Sequence, residues 1–177
     1  WKRFPAALAS QVAWAFAAAR FHHVALYDAL SDYISRHVAV FDTQHVATTA
    51  WAFAAVGARV PEVFETIASF VKGGKLWGFR QDELCALCWA FAKVSFQDEH
   101  LYWDLVQVCS MRKDEFTNES AANLLWALTT LQVDSGIDRS LFQSGIDELL
   151  DFIIESFLSR RLLFTDAEAL YMTAWAC

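Results

Sequence analysis

Amides and hydroxyls able to hydrogen-bond, rather than nucleophiles or metal ligands, are the chemistry that this 177-residue chain repeats at a fixed spacing. Gln11, Gln44, Thr48, Lys93 and Asn123 each stand seven or three residues before, or four after, a tryptophan that recurs along the sequence. On a helix those offsets fall along one stripe, and such side chains on successive helices could meet the edges of successive bases. Alanines hold other positions of the stripe, such as Ala7, Ala18, Ala55 and Ala86, and these read nothing. The alternative is an inner helix surface that tolerates small polar residues.

Catalytic and metal chemistry have no such support. Cys85-Ala86-Leu87-Cys88 has the spacing of metal ligands, but it falls within a helix against Trp89, with no second Cys or His pair at zinc-finger distance. Core cysteines that bind no metal are expected. His22, His23, His37, His45 and His100 are scattered, with no nucleophile to serve and no glycine-rich phosphate loop nearby. Neither an enzyme nor a cofactor nor a small-molecule substrate is expected.

The elements that position the stripe form a repeat. Trp14, Trp51, Trp89 and Trp126 are spaced by 37, 38 and 37 residues, and Trp175 follows. Phe4, Phe41, Phe79 and Phe116 stand ten residues before the first four, and Phe164 eleven before the fifth. Each copy reads as two helices. In the second copy Phe41-Asp42-Thr43 starts a helix that Gly57 ends, and Pro61 opens another whose buried face is Val63, Phe64, Ile67 and Val71. That face recurs as Leu26, Tyr27, Leu30 and Ile34, and as Leu101, Tyr102, Leu105 and Cys109. In the fourth copy Leu141 and Phe142 arrive late, and a longer helix runs through Leu149, Ile153, Ile154 and Phe157. Thr165 to Glu168 has the spacing of a capping box.

The expected fold is all-α: a superhelical α-α solenoid of 37–38-residue helix-turn-helix repeats, at about 4–40, 41–78, 79–115, 116–163 and a truncated 164–177. First helices are expected near 5–20, 42–56, 80–93, 117–131 and 165–177. With two prolines, six glycines and no Ser/Gly-rich linker, residues 1–177 read as one array, and the ends suggest part of a longer protein. No apolar stretch reaches the roughly 18–20 residues of a membrane span. Four unevenly spaced cysteines point to a reducing compartment rather than a disulfide framework. The repeated tryptophans are expected to be buried between adjacent repeats, flanked by alanines that let helices approach, while Trp77 and Trp103 fall outside the signature and are candidates for exposure.

Phosphate binding is the other candidate chemistry. Fourteen Lys and Arg against twenty-one Asp and Glu leave a net charge of −7, the reverse of most nucleic-acid-binding domains. Ten of the cations nevertheless fall near the end of a second helix or in the loop after it: Lys2, Arg3, Arg36, Lys72, Lys75, Arg80, Arg112, Lys113, Arg160 and Arg161. Stacking would align them on one edge that could hold phosphates, with Asp28, Glu65, Asp104 and Glu155 facing elsewhere. Cations near helix C-termini equally complement the helix dipole.

The period, the paired helices and the segments Thr48-Thr49-Ala50-Trp51-Ala52-Phe53-Ala54 and Ala121-Ala122-Asn123-Leu124-Leu125-Trp126-Ala127-Leu128 resemble the octotricopeptide repeats of algal organelle proteins. They resemble equally the heptatricopeptide repeats of apicomplexan proteins that often end in a RAP domain. The chain shows neither a RAP domain nor the proline-rich octotricopeptide signature, so the choice between the two stays open. The resemblance implies a mitochondrial or other organellar RNA-associated protein, such as a mitochondrial ribosome subunit contacting rRNA and neighbouring proteins. RNA backbone would then meet Arg36, Lys72, Lys75, Arg80, Arg112, Lys113, Arg160 and Arg161. The alternative is a protein-binding scaffold without direct RNA contact.

Overall fold

A computed structural model describes residues 5–58, 60–135 and 143–158. Among them are eight α-helices and no strand: α1 (Ala6–Ala18), α2 (Val24–His37), α3 (Thr43–Val56), α4 (Pro61–Val71), α5 (Gln81–Lys93), α6 (Glu99–Met111), α7 (Asn118–Ser135) and α8 (Gln143–Leu158). The expected first helices at 5–20, 42–56, 80–93 and 117–131 correspond to α1, α3, α5 and α7. The fifth, together with Leu141, Phe142, Arg160, Arg161 and the Thr165 capping box, lies outside the described residues.

Local chemistry sets most boundaries. Asp42 and Asp98 cap α3 and α6 by accepting the backbone N–H groups of His45 and Leu101, at 2.8 and 3.0 Å. Pro61 opens α4 at its first position, where no intrahelical donor is needed. Gly57 ends α3 in the left-handed region, at φ 68°, with its own N–H and that of Ala58 returning to the carbonyls of Ala54 and Phe53. Arg20 and Ser95 adopt the same hand after α1 and α5. Short 3₁₀ turns at Val38–Val40, Lys75–Gly78 and Lys113–Glu115 each run into a buried, extended phenylalanine: Phe41, Phe79 and Phe116.

The chain forms two compact units, Trp1–Val94 and Ser95–Cys177. In the first, helices stack on their second neighbours: α3 lies between α1 and α5, and α2 lies against α4. This i/i+2 stacking is consistent with a helical repeat. Fully buried alanines mark the approach of the first helices: Ala9 and Ala13 on α1, Ala47, Ala50 and Ala54 on α3, and Ala90 on α5. Small side chains there shorten the interaxial distance, so larger rings fill the space beneath. Phe53 meets Tyr27 edge-on at 5.0 Å, and Phe91 meets Phe64 at 6.1 Å. The Tyr27 hydroxyl donates to the Ala13 carbonyl at 3.0 Å, and burial raises its pKa above the ordinary value.

In the second unit α8 packs on α6 and α7. Leu101, Leu105, Val106, Cys109, Leu124, Leu128, Ile146 and Leu149 are buried there, and the Tyr102 hydroxyl donates to the Leu128 carbonyl at 2.8 Å. Ile154, through which the longer helix was expected to run, lies on α8 and is 47 % exposed.

The tryptophans correct the sequence expectation more seriously. Trp51, Trp89 and Trp126 are only part-buried, and Trp14 is 51 % exposed. The alanines and Phe53, Phe91 and Leu128 occupy the interior in their place. Sandwiched between two first helices and packed on second helices, α3 buries Val46, Ala47, Thr49, Ala50, Ala52, Phe53 and Ala54. That leaves it one outward stripe, and Trp51 lies on it. Trp77 and Trp103 are 51 % and 42 % exposed, in line with their place outside the signature.

Candidate functional site

The outward stripe of α3 is Gln44, Thr48, Trp51 and Ala55, none of them buried. Its steps of four, three and four residues follow one helix face. The same offsets give Ala7, Gln11, Trp14 and Ala18 on α1, and Asp82, Ala86, Trp89 and Lys93 on α5, again all at least part-exposed. Because α1, α3 and α5 lie side by side, the three stripes form one surface of the first unit. The recurring tryptophan thus belongs to the same surface as the polar offsets. Its position between offsets of minus three and plus four is the signal in the sequence that places it there, against the general tendency of large rings to fill cores.

Two clefts open on this surface. One, of about 350 Å³, is lined by Ser10, Gln11, Trp14, Gln44, His45 and Thr48. The other, of about 170 Å³, is lined by Trp14, Gln44, Ala47, Thr48, Trp51, Arg80, Asp82, Glu83 and Ala86. Trp14, Gln44 and Thr48 line both. Four of the candidate residues, Gln11, Gln44, Thr48 and Arg80, are therefore brought together, with two indoles that the sequence pattern had assigned to the core. Beside them the Trp51 and Trp89 rings stack, with centroids 6.1 Å apart.

Arg80 sits at the rim in a charge cluster. Its guanidinium reaches Asp82 at 3.1 Å and Glu83 at 3.2 Å, while the buried Glu83 also accepts the backbone N–H of Arg80 at 2.9 Å. That backbone bond satisfies a donor at the start of α5, and the pairing with Arg80 offsets the cost of burying the carboxylate.

The remaining candidates are placed elsewhere. Lys93 is exposed at the end of α5 and lines neither cleft, and Asn123 is part-buried on α7 in the second unit. Arg36 pairs with Asp32 at 3.4 Å on the exposed face of α2. Lys72 is exposed just after α4, and the Lys75 ammonium lies over the Phe70 ring at 4.2 Å. Arg112 grips Glu115 through two bonds of 3.0 and 2.6 Å, which raise the arginine pKa and lower that of the glutamate. Lys113 lies 3.8 Å from Glu148. Each described arginine of the expected basic edge therefore has a carboxylate neighbour.

Cys85 is part-buried and Cys88 and Cys109 are buried, and none of the three is in a disulfide. Among the described residues no group of three His, Cys, Asp or Glu converges as a metal site would require. None of the described helices is long and apolar enough to cross a membrane. No protein-family model matches the sequence, and no curated protein matches it.

Proposed function

We propose that this chain is a non-catalytic, RNA-associated helical-repeat protein that holds single-stranded RNA along the stripe surface of its first helices. The observation that carries this is the convergence of Gln11, Gln44 and Thr48 with the Trp14 and Trp51 rings in two adjoining clefts. Aromatic faces and amides on one surface suit unpaired bases, which present a π-face and a hydrogen-bonding edge. A repeat of 37–38 residues is supported by its turns: the left-handed residues Arg20, Gly57 and Ser95 are spaced by 37 and 38, and the turn-ending Phe41, Phe79 and Phe116 by 38 and 37. On the octotricopeptide and heptatricopeptide resemblance, such a protein would act in a mitochondrial or other organellar ribonucleoprotein, foremost a mitochondrial ribosome. There Arg36, Lys72, Lys75, Arg112 and Lys113 would meet rRNA backbone and the acidic surface would meet neighbouring proteins.

A protein-binding scaffold is the second reading, favoured by the net charge of −7 and by the ion pairing of the basic edge. Reversing the charge of Arg112, Lys113, Arg160 and Arg161 separates the two. Under the RNA reading the quadruple variant binds unrelated single-stranded RNAs more weakly by similar factors. Its log-log salt slope also flattens by roughly 0.7 for each phosphate that the variant no longer neutralises. Unchanged RNA affinity, with normal entry into the native assembly, favours the scaffold.

A further inference from the structure

The half-exposed Trp14 ring, with Gln44 and Thr48, lines both clefts, so any guest in either one meets all three. The rim carboxylates do not call for a cationic guest. Asp82 and Glu83 are both engaged by Arg80, and Glu83 is buried besides. The buried Ser10 hydroxyl already donates to the Ala7 carbonyl at 3.0 Å, and His45 Nδ1 lies 2.8 Å from the Asp42 carboxylate. What remains to meet a ligand is an aromatic face, the Gln11 and Gln44 amides and the Thr48 hydroxyl, groups that both donate and accept hydrogen bonds. The complementary guest is flat, uncharged and heteroaromatic, with donors and acceptors on its edge. A nucleobase has that chemistry. At about 350 Å³, the cleft between α1 and α3 stands at the low end of the roughly 300–1,000 Å³ of small-molecule pockets, which suits one ring system at a time.

We infer that the α1–α3 cleft is a stacking subsite for a single unpaired adenine, with the Trp14 indole against the base face and the Gln44 amide on its edge. The assignment rests on the RNA reading above and narrows it to one nucleotide position. Adenine is the fit because a purine covers more of the indole than a pyrimidine, and because a glutamine amide can bond its adjacent donor and acceptor together. Arg80, at the rim of the adjoining cleft, is already paired with Asp82 and Glu83, so the subsite is assigned to the base and not to its phosphate.

The test is titration of the full chain with short oligoadenylate and oligouridylate, read by tryptophan fluorescence and by anisotropy of labelled RNA. Oligoadenylate is expected to bind more tightly and to quench fluorescence, and Trp14→Ala to weaken it roughly 10-fold. Trp14→Phe should restore most of the affinity, because it keeps a ring, and Gln44→Ala should reduce the preference for adenine. Trp14 is half-exposed, so its truncation leaves the fold intact, which circular dichroism checks. If oligoadenylate binds equally well to Trp14→Ala while the basic-edge reversal weakens it, the subsite is wrong and the RNA reading stands. If neither oligomer binds the wild-type chain, both fall.

Discussion

The Trp51 and Trp89 indoles stack across neighbouring first helices, with centroids 6.1 Å and planes 29° apart. That separation lies within the range where aromatic pairs attract, and such a pair contributes about 0.5–1.5 kcal/mol beyond the area it buries. Both rings are part-buried, so the stack ties α3 to α5 from the outside rather than from within the core.

Truncating the two kinds of tryptophan should therefore have unequal costs. Trp51→Ala is expected to lower stability by about 1–3 kcal/mol, short of the roughly 3–5 kcal/mol of a fully buried ring. Trp14→Ala, at 51 % exposure, should cost less than about 1 kcal/mol. Urea denaturation followed by circular dichroism measures both. Equal losses of about 4 kcal/mol would return the tryptophans to the core.

Alanine is the residue the interior does require. Ala13 and Ala50 are wholly inaccessible where the first helices approach each other. Ala50→Leu has no room and must push α3 away from a neighbour, at a cost of about 1–3 kcal/mol or more. Ala55→Leu, on the exposed stripe of the same helix, should change stability by less than about 0.5 kcal/mol. A thermal melt of each variant is sufficient to tell them apart.

The helices were legible because their signals are local: Asp42 and Gly57 fix boundaries through bonds to residues within a few positions of themselves, and Pro61 through its fixed φ and missing N–H. The polar stripe was legible for the same reason, since helical spacing alone puts Gln44 and Thr48 on one face. The burial of Trp51 was not, because it depends on how closely α3 approaches its neighbours, and fully buried alanines bring the backbones together and leave the ring outside. Nor was the fate of the cations. Glu115 and Glu148 stand beside Arg112 and Lys113 through geometry that charge counting along the chain cannot supply.

Two glycines should respond to the same substitution for opposite reasons. At Gly145 an added Cβ would stand 2.5 Å from the Val106 Cγ1 atom, so Gly145→Ala must displace α8 or Val106, costing about 1–3 kcal/mol. Combining it with Val106→Ala should recover part of that loss. At Gly57 nothing lies within 4 Å, and the cost of Gly57→Ala comes from the left-handed backbone alone, about 1–2 kcal/mol. Here Gly57→Asn is the partial rescue. Chemical denaturation of wild type and these variants decides, and failure of Val106→Ala to rescue Gly145→Ala would remove the steric account.

Tyr27 links stability to alkaline pH. Burial holds its phenol above the ordinary 10.0, so the fold favours the neutral form. Because the folded pKa is the higher one, the contribution is fully present below about pH 10. It is lost as pH rises through the folded value, while unfolded chains ionise more readily. Tyr27→Phe removes the bond to the Ala13 carbonyl and should cost about 1 kcal/mol at neutral pH. The variant has no phenol to ionise at that site, so its deficit relative to wild type should shrink as pH climbs above about 10. Urea denaturation of both proteins at neutral and alkaline pH measures that gap. A deficit that stays constant would mean that the Tyr27 phenol is not perturbed by its burial against Phe53 and α1.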